Sequence, residues 1–286
     1  MNKFCGKAAE FLSSYLTGRS QYVSLNGIDS HVTICNFGVP QGSVLGPLQF
    51  NLFINDINGI KGVSKILFAE NAVVYVCVPE LDICAARMNA VVDELSVRLK
   101  NNRLIANVNK TKVMLITPKA KNNVPNIYFN GSVIERVSCI EYLGLFIDDM
   151  LTFVPHVNHL CSRLSTFQGI TYSLSPFMPQ RVLLDLYKSL IYPVSFQNII
   201  IWGCLPQFYV SKITVIVNNI LRNILRVRRR INNIPLISTN DLYINLCLLK
   251  FKDIHKLFLL KFIHFVYYDR FDIFIKNFAK FLPQIH

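Results

Sequence analysis

The chain changes texture near residue 150, and that change limits what it can fold into. Before it, apolar runs are short and punctuated. Tyr22-Val23-Ser24-Leu25, Asn26-Gly27 and His31-Val32-Thr33-Ile34 form a strand, turn, strand pattern. Ile66-Leu67 and Val73-Val74-Tyr75-Val76 read as a buried strand pair with Glu70 and Asn71 at its exposed tip. Strand-like pieces follow at Val113–Ile116, Ile127–Phe129 and Tyr142–Ile147, with Asn130-Gly131 as a turn. Helical stretches interrupt them at residues 3–16, at Leu48–Ile54 and at 81–100, the last with Leu81, Cys84, Met88, Val91, Val92, Leu95 and Leu99 on one face. Beyond 150 the helical period takes over, at Leu160–Ser173, Gln180–Ile191, Ile213–Val227 and in pieces from 240 to 280. Its main breaks are Pro176, Pro179, Pro193 and Pro235. The expectation is α+β over residues 1–149, followed by an all-helical region over 150–286.

Length and charge narrow the function. A chain of 286 residues buries a real core. Its hydrophobic content of 52% and mean hydropathy of +0.35 bring a membrane protein into question. A spanning helix needs about 18 uninterrupted apolar residues, and Lys250, Lys252, Asp253, His255, Lys256 and Lys261 break the best stretch. No secretory leader pattern is visible at Met1-Asn2-Lys3, so an intracellular protein, cytoplasmic or nuclear, is expected. The eight cysteines contain no Cys-x-x-Cys pair and read as small buried thiols. His156 and His159 lack partners that would complete a metal-ligand set. The net charge of +13 points to a polyanion. Arg222, Arg226, Arg228, Arg229 and Arg230 fall within nine residues, either as nucleic-acid backbone contacts or as a solvated helix face. Phe258, Phe262, Phe265 and Phe271 read as core or interface rather than as a membrane anchor, the alternative for a basic helix at 250–280.

The densest signal is Gly38-Val39-Pro40-Gln41-Gly42-Ser43-Val44-Leu45-Gly46-Pro47-Leu48. Its glycines and prolines specify a rigid loop before a helix, which serves equally as a structural turn or as a ligand loop. The whole string resembles the loop-helix motif of reverse transcriptases from non-LTR (LINE-like, jockey/CR1-type) retrotransposons. Other pieces fall in that family's order. They are Phe11–Leu16 with Gly18–Val23, Phe53–Ile57, Phe68-Ala69-Glu70-Asn71, Asn109-Lys110-Thr111-Lys112, Tyr142-Leu143-Gly144, Tyr187–Tyr192 and Ile201-Trp202-Gly203.

The resemblance implies a partial right-hand polymerase palm, with fingers and early palm strand missing, followed by a thumb-like helical region. It implies RNA-directed DNA polymerisation with Mg2+. Pro40, Gln41 and Gly42 would touch nucleotide or template, Lys110 would protonate leaving pyrophosphate, and Tyr142, Leu143 and Gly144 would grip a primer. Two departures stand against activity. Glu70 and Asn71 occupy the place of two adjacent metal-binding aspartates. In addition, the 37 residues before Gly38 contain no strand bearing the early aspartate, only Glu10 and Asp29, so a truncated chain is expected. Two-metal chemistry holds its ions about 3.5–4 Å apart, and an amide beside a longer carboxylate is a poor donor set for a hard cation. No metal is expected to be held stably and no cofactor is expected. Asp148-Asp149 does not stand at the metal position. The expected partner is RNA or DNA, bound weakly and nonspecifically; the alternative is a repurposed, non-enzymatic nucleic-acid- or protein-binding protein.

Overall fold

The computed structural model describes residues 5–118, 124–227 and 237–268. It divides into two compact units, one from Met1–Thr111 and Asn122–Glu135, the other from Lys112–Lys121 and Arg136–His286.

In the first unit, helix α1 (Lys7–Leu16) buries no side chain and stops before Gly18, whose φ of +65° ends it. Arg19–Gln21 pairs antiparallel with Thr33–Cys35, and Ser24–Leu25 with Ile28–Asp29. Asn26 and Gly27 both take positive φ in the two-residue turn between the latter strands, as the Asn-Gly pattern predicts. Helix α2 (Gly46–Ile54) runs into a 3₁₀ turn at Asn55–Gly59. Ile54, Ile57 and Ile60 pack there against Val91 of α3 (Leu81–Asn101), with Phe50, Val63, Leu67, Val74, Leu95 and Leu99 around them. The Asn89 side chain on α3 accepts from Tyr128 N at 2.9 Å and donates to Asn126 O at 3.2 Å, which holds the small hairpin Tyr128–Phe129/Ser132–Val133 on that helix.

The second unit carries the larger core. Its hairpin pairs Cys139–Tyr142 with Leu145–Asp148. The helices are α4 (Val154–Leu174), α5 (Gln180–Leu186), α6 (Tyr192–Phe196), α7 (Ile199–Trp202), α8 (Gln207–Leu225), α9 (Thr239–Asn245) and α10 (Phe251–Tyr268). Val157, Leu160 and Leu164 of α4 meet Ile213, Val217, Ile220, Leu221 and Ile224 of α8 in one continuous cluster. Its largest ring, Trp202, is fully buried between His156 and Phe251, with ring centroids 5.9 and 5.4 Å away. Between α5 and α6 the backbone widens into a π turn at Tyr187–Ile191, with Tyr187 and Ile191 buried and Pro193 just beyond. On α10, Phe258 packs on the core while Phe262 and Phe265 are exposed, so neither of those two is a core residue; Phe271 lies outside the described residues.

Two polar groups in this unit set its pH dependence. Burial alone would push the Asp148 carboxyl up, but hydrogen bonds from Thr152 N (3.0 Å), Phe153 N (2.7 Å) and Thr152 Oγ1 (3.0 Å) outweigh it and hold it below the usual carboxylate range. Asp148 thereby satisfies the entry to α4, a structural role. His156 is 1% exposed, and burial, with the charge of His159 adding to it, lowers its pKa to about 4. In the unfolded chain a histidine titrates near 6.5, so between these values the unfolded state binds the extra proton. The stability is present in full above pH 6.5 and declines towards pH 4, at a limiting slope of about 1.4 kcal/mol per pH unit. Urea midpoints measured at pH 7 and pH 5 are expected to differ clearly for the wild-type chain and much less for His156→Phe. Equal differences would remove His156 as the cause.

Candidate catalytic tip and nucleic-acid contacts

The box hairpin pairs Ser64–Phe68 with Asn71–Tyr75, and Phe68 stands opposite Asn71. The turn is Ala69-Glu70, with Ala69 at φ +50°. One face is packed through Leu67 and Val74. The other leaves Ile66 49% and Phe68 59% exposed, so the strand pair is half-buried where the sequence predicted a buried one. Alternating apolar side chains satisfied that pattern on both faces, while this unit supplies only one layer to cover them. Glu70 and Asn71 are exposed, and neither side chain has a hydrogen-bond or ion-pair partner among the described residues.

Sequence reasoning missed what anchors this hairpin. Lys65 Nζ donates to Asn58 O at 2.8 Å, to Ile57 O at 3.3 Å and to Ile60 O, closing the open carbonyl end of the 3₁₀ turn. The only advance signal was one lysine inside an apolar strand.

The glycine loop is fastened at both ends. Arg19 donates through Nη2 to Phe37 O (3.2 Å) and Gly38 O (2.6 Å), and through Nε to Leu16 O (3.1 Å). Ser43 Oγ donates to Pro40 O at 2.8 Å and accepts from Gly46 N at 3.0 Å. Gly46 is buried, and a Cβ there would lie 3.0 Å from Ser43 Oγ and 3.2 Å from Pro40 O, so a larger residue at the α2 start would crowd both. Gly42 takes φ +78°, a conformation that glycine adopts without strain. Gln41 and Gly42 face solvent while Pro40 is half-buried. Lys110 ends a single 3₁₀ turn, Val108–Lys110, where its backbone N donates to the Asn107 side chain, and it is exposed. Pro40, Gln41, Gly42, Glu70, Asn71 and Lys110 belong to the first unit.

In the second unit, Leu143 (φ +50°) and Gly144 (φ +77°) form the two-residue turn between Tyr142 and Leu145. The strand-like piece read at 142–147 therefore contains a chain reversal. Gln197 Nε2 donates to Leu143 O at 3.4 Å, and a Cβ on Gly144 would collide with that amide. The arginine group is divided. Arg222 lies in the last turn of α8, and Nη1 donates to Asn219 Oδ1 at 3.4 Å. Arg226 caps α8 at φ +55° and donates through Nη2 to Met178 O at 2.6 Å, so it is not a freely solvated helix residue. Arg228, Arg229 and Arg230 lie outside the described residues.

A family model described as reverse transcriptase (RNA-dependent DNA polymerase) matches residues 3–147, which include the loop, the box and the Tyr142 turn. The chain belongs to the reverse transcriptase family. Its relatives include the RNA-directed DNA polymerase from mobile element jockey of Drosophila melanogaster, 23% identical over 74% of this chain and 24% of that protein. The probable RNA-directed DNA polymerases from transposon BS and from transposon X-element of the same organism are 29% and 28% identical, each over 74% of this chain and about a quarter of their own length. The chain thus spans about a quarter of the curated relatives it matches. Among the described residues of this reverse transcriptase chain, no three His, Cys, Asp or Glu side chains come together as a metal site, and no helix is long and apolar enough to cross a membrane. At the box turn one exposed carboxylate stands beside a neutral amide, a poor donor set for a hard divalent cation.

Proposed function

We propose that this chain is a reverse transcriptase region of a non-LTR retrotransposon that binds nucleic acid and does not polymerise. The carrying observation is the box tip, with Glu70 and Asn71 where the family's chemistry asks for paired carboxylates. Phosphoryl transfer by this class leaves little for the protein beyond holding two ions and aligning the reacting oxygens. Asn71 contributes one neutral oxygen, and Glu70 places its carboxylate one methylene further from the backbone. Lys110 loses its partner in that reaction, since a proton donor to pyrophosphate acts only when pyrophosphate leaves.

Binding rests on features that the tip does not affect. The fastened glycine loop still presents Gln41 and Gly42 to solvent. Between Asp149 and Asp241 the chain has Asp185 as its single carboxylate, against nine lysines and arginines. Filter retention of labelled single-stranded RNA by the full chain tests this. Retention is expected at low ionic strength and is expected to fall steeply as salt is added, with a log–log slope of about −0.7 for each phosphate neutralised. No retention at low salt, with the chain shown to be folded by circular dichroism, would end the proposal.

A further inference from the structure

We propose that the turn joining α4 to α5 and the adjoining end of α8 form a stacking platform for single-stranded nucleic acid, with Phe177 under a base and Arg181 and Arg226 on phosphates. It rests on the nucleic-acid-binding reading above and gives it a location and a ligand class.

Phe177 is 84% exposed and Tyr172, in the last turn of α4, is 71% exposed. A phenyl ring left in water forgoes about 1.5–3 kcal/mol of burial, and here the backbone holds it out. Pro176 and Pro179 fix φ on either side, while Phe177 N and Met178 N both donate to Leu174 O at 3.0 Å. The ring is therefore presented by a stiff turn, which lowers the entropy lost on stacking.

One cation is fixed beside it, and a second follows four residues along the chain. Arg226 Nη2 donates to Met178 O at 2.6 Å, next to Phe177 in the chain, which engages one of its five N–H donors. Asn223 Nδ2 donates to Gln168 O at 3.1 Å and to Thr171 Oγ1 at 3.2 Å, joining the end of α8 to the end of α4 that carries Tyr172. Arg181 is exposed in the first turn of α5. Asp185 is the one acid in the neighbouring sequence, and no ion pair joins it to Arg181.

Exposed aromatic faces beside guanidinium groups, with almost no counter-charge, match a strand whose bases are free to stack and whose phosphates need neutralising. A duplex hides its base faces and gains nothing from Phe177. Base stacking of this kind tolerates any sequence, because every base has a π face.

The test measures binding of the full chain to a fluorescein-labelled single-stranded oligo(dT), to a duplex of equal length, and to phosphatidylserine/phosphatidylcholine vesicles. Phe177→Ala is expected to weaken single-strand binding about 5- to 100-fold, leave the duplex affinity and the salt slope unchanged, and be rescued by Phe177→Trp. Arg181→Gln is expected to reduce the single-strand salt slope by about 0.7. Unchanged single-strand affinity in Phe177→Ala, or equal losses for strand and duplex, would overturn the platform while leaving nucleic-acid binding intact. Vesicle capture that depends on Phe177, without oligonucleotide dependence, would replace it with a lipid-facing patch. A wild-type chain that binds neither oligonucleotide would remove the platform and the broader proposal together.

Discussion

No product above a template-free control is expected when the purified chain is given a poly(rA)·oligo(dT) substrate, deoxythymidine triphosphate and magnesium. The argument is geometric. Glu70 sits in the two-residue turn of the box hairpin and Asn71 opens its second strand, both exposed and with side chains that have no partner among the described residues. A misplacement on the order of 1 Å at such a site costs about 10²-fold in rate, and here one ligand is displaced while the other has lost its charge. Glu70→Asp with Asn71→Asp is expected to leave extension absent in this chain. Its other acids before the glycine loop are Glu10, on the exposed α1, and Asp29, on the exposed Ile28–Asp29 strand. Neither hairpin nor helix brings them into a three-ligand group with Glu70. Magnesium-dependent extension that disappears in Glu70→Ala would show instead that Glu70 holds a working ion.

The largest stability effect is expected from Trp202→Ala. Trp202 is fully buried, packs at a tilt between His156 and Phe251, and donates through Nε1 to Gln197 O at 2.7 Å. Large-to-small changes at such sites cost about 3–5 kcal/mol, against a total stability of about 5–15 kcal/mol for a typical domain. The substitution also strips the partner from Gln197 O, and the Gln197 side chain reaches the Leu143 carbonyl. Trp202→Phe keeps most of the ring and loses the N–H, so it is expected to fall between wild type and alanine. Urea denaturation read by far-ultraviolet circular dichroism separates the three. A midpoint for Trp202→Ala within error of wild type would show that the helical core does not depend on this ring.

What could be read in the sequence follows from how local each signal is. Helical periodicity located α4 and α8, yet α4 begins at Val154 rather than Leu160, because Asp148 satisfies the N–H groups of Thr152 and Phe153 just before it. The glycine-proline loop was legible as a rigid turn because Gly42 and Gly46 carry their conformational and steric reasons in the residue type. Its Arg19 clamp was not, since an arginine in an exposed strand gives no sign of which carbonyls it reaches. The alternation around Phe68 announced strands without saying how many layers would cover them. Arg226 looked like one charge in a run; only the left-handed end of α8 shows that it caps the helix and bridges to Met178.

The wide turn at Tyr187–Ile191 carries a further consequence. In register terms it is a single-residue insertion accommodated inside an otherwise continuous helix. A second inserted residue there, beyond the one that the wide turn absorbs, would turn α6 and the residues that follow it by about 100° around the helix axis. Gln197 would leave the Leu143 carbonyl, and Trp202 would turn out of its slot between His156 and Phe251. The wide turn has already taken up the slack of this stretch: its exposed positions tolerate exchange of side chains but not a further insertion.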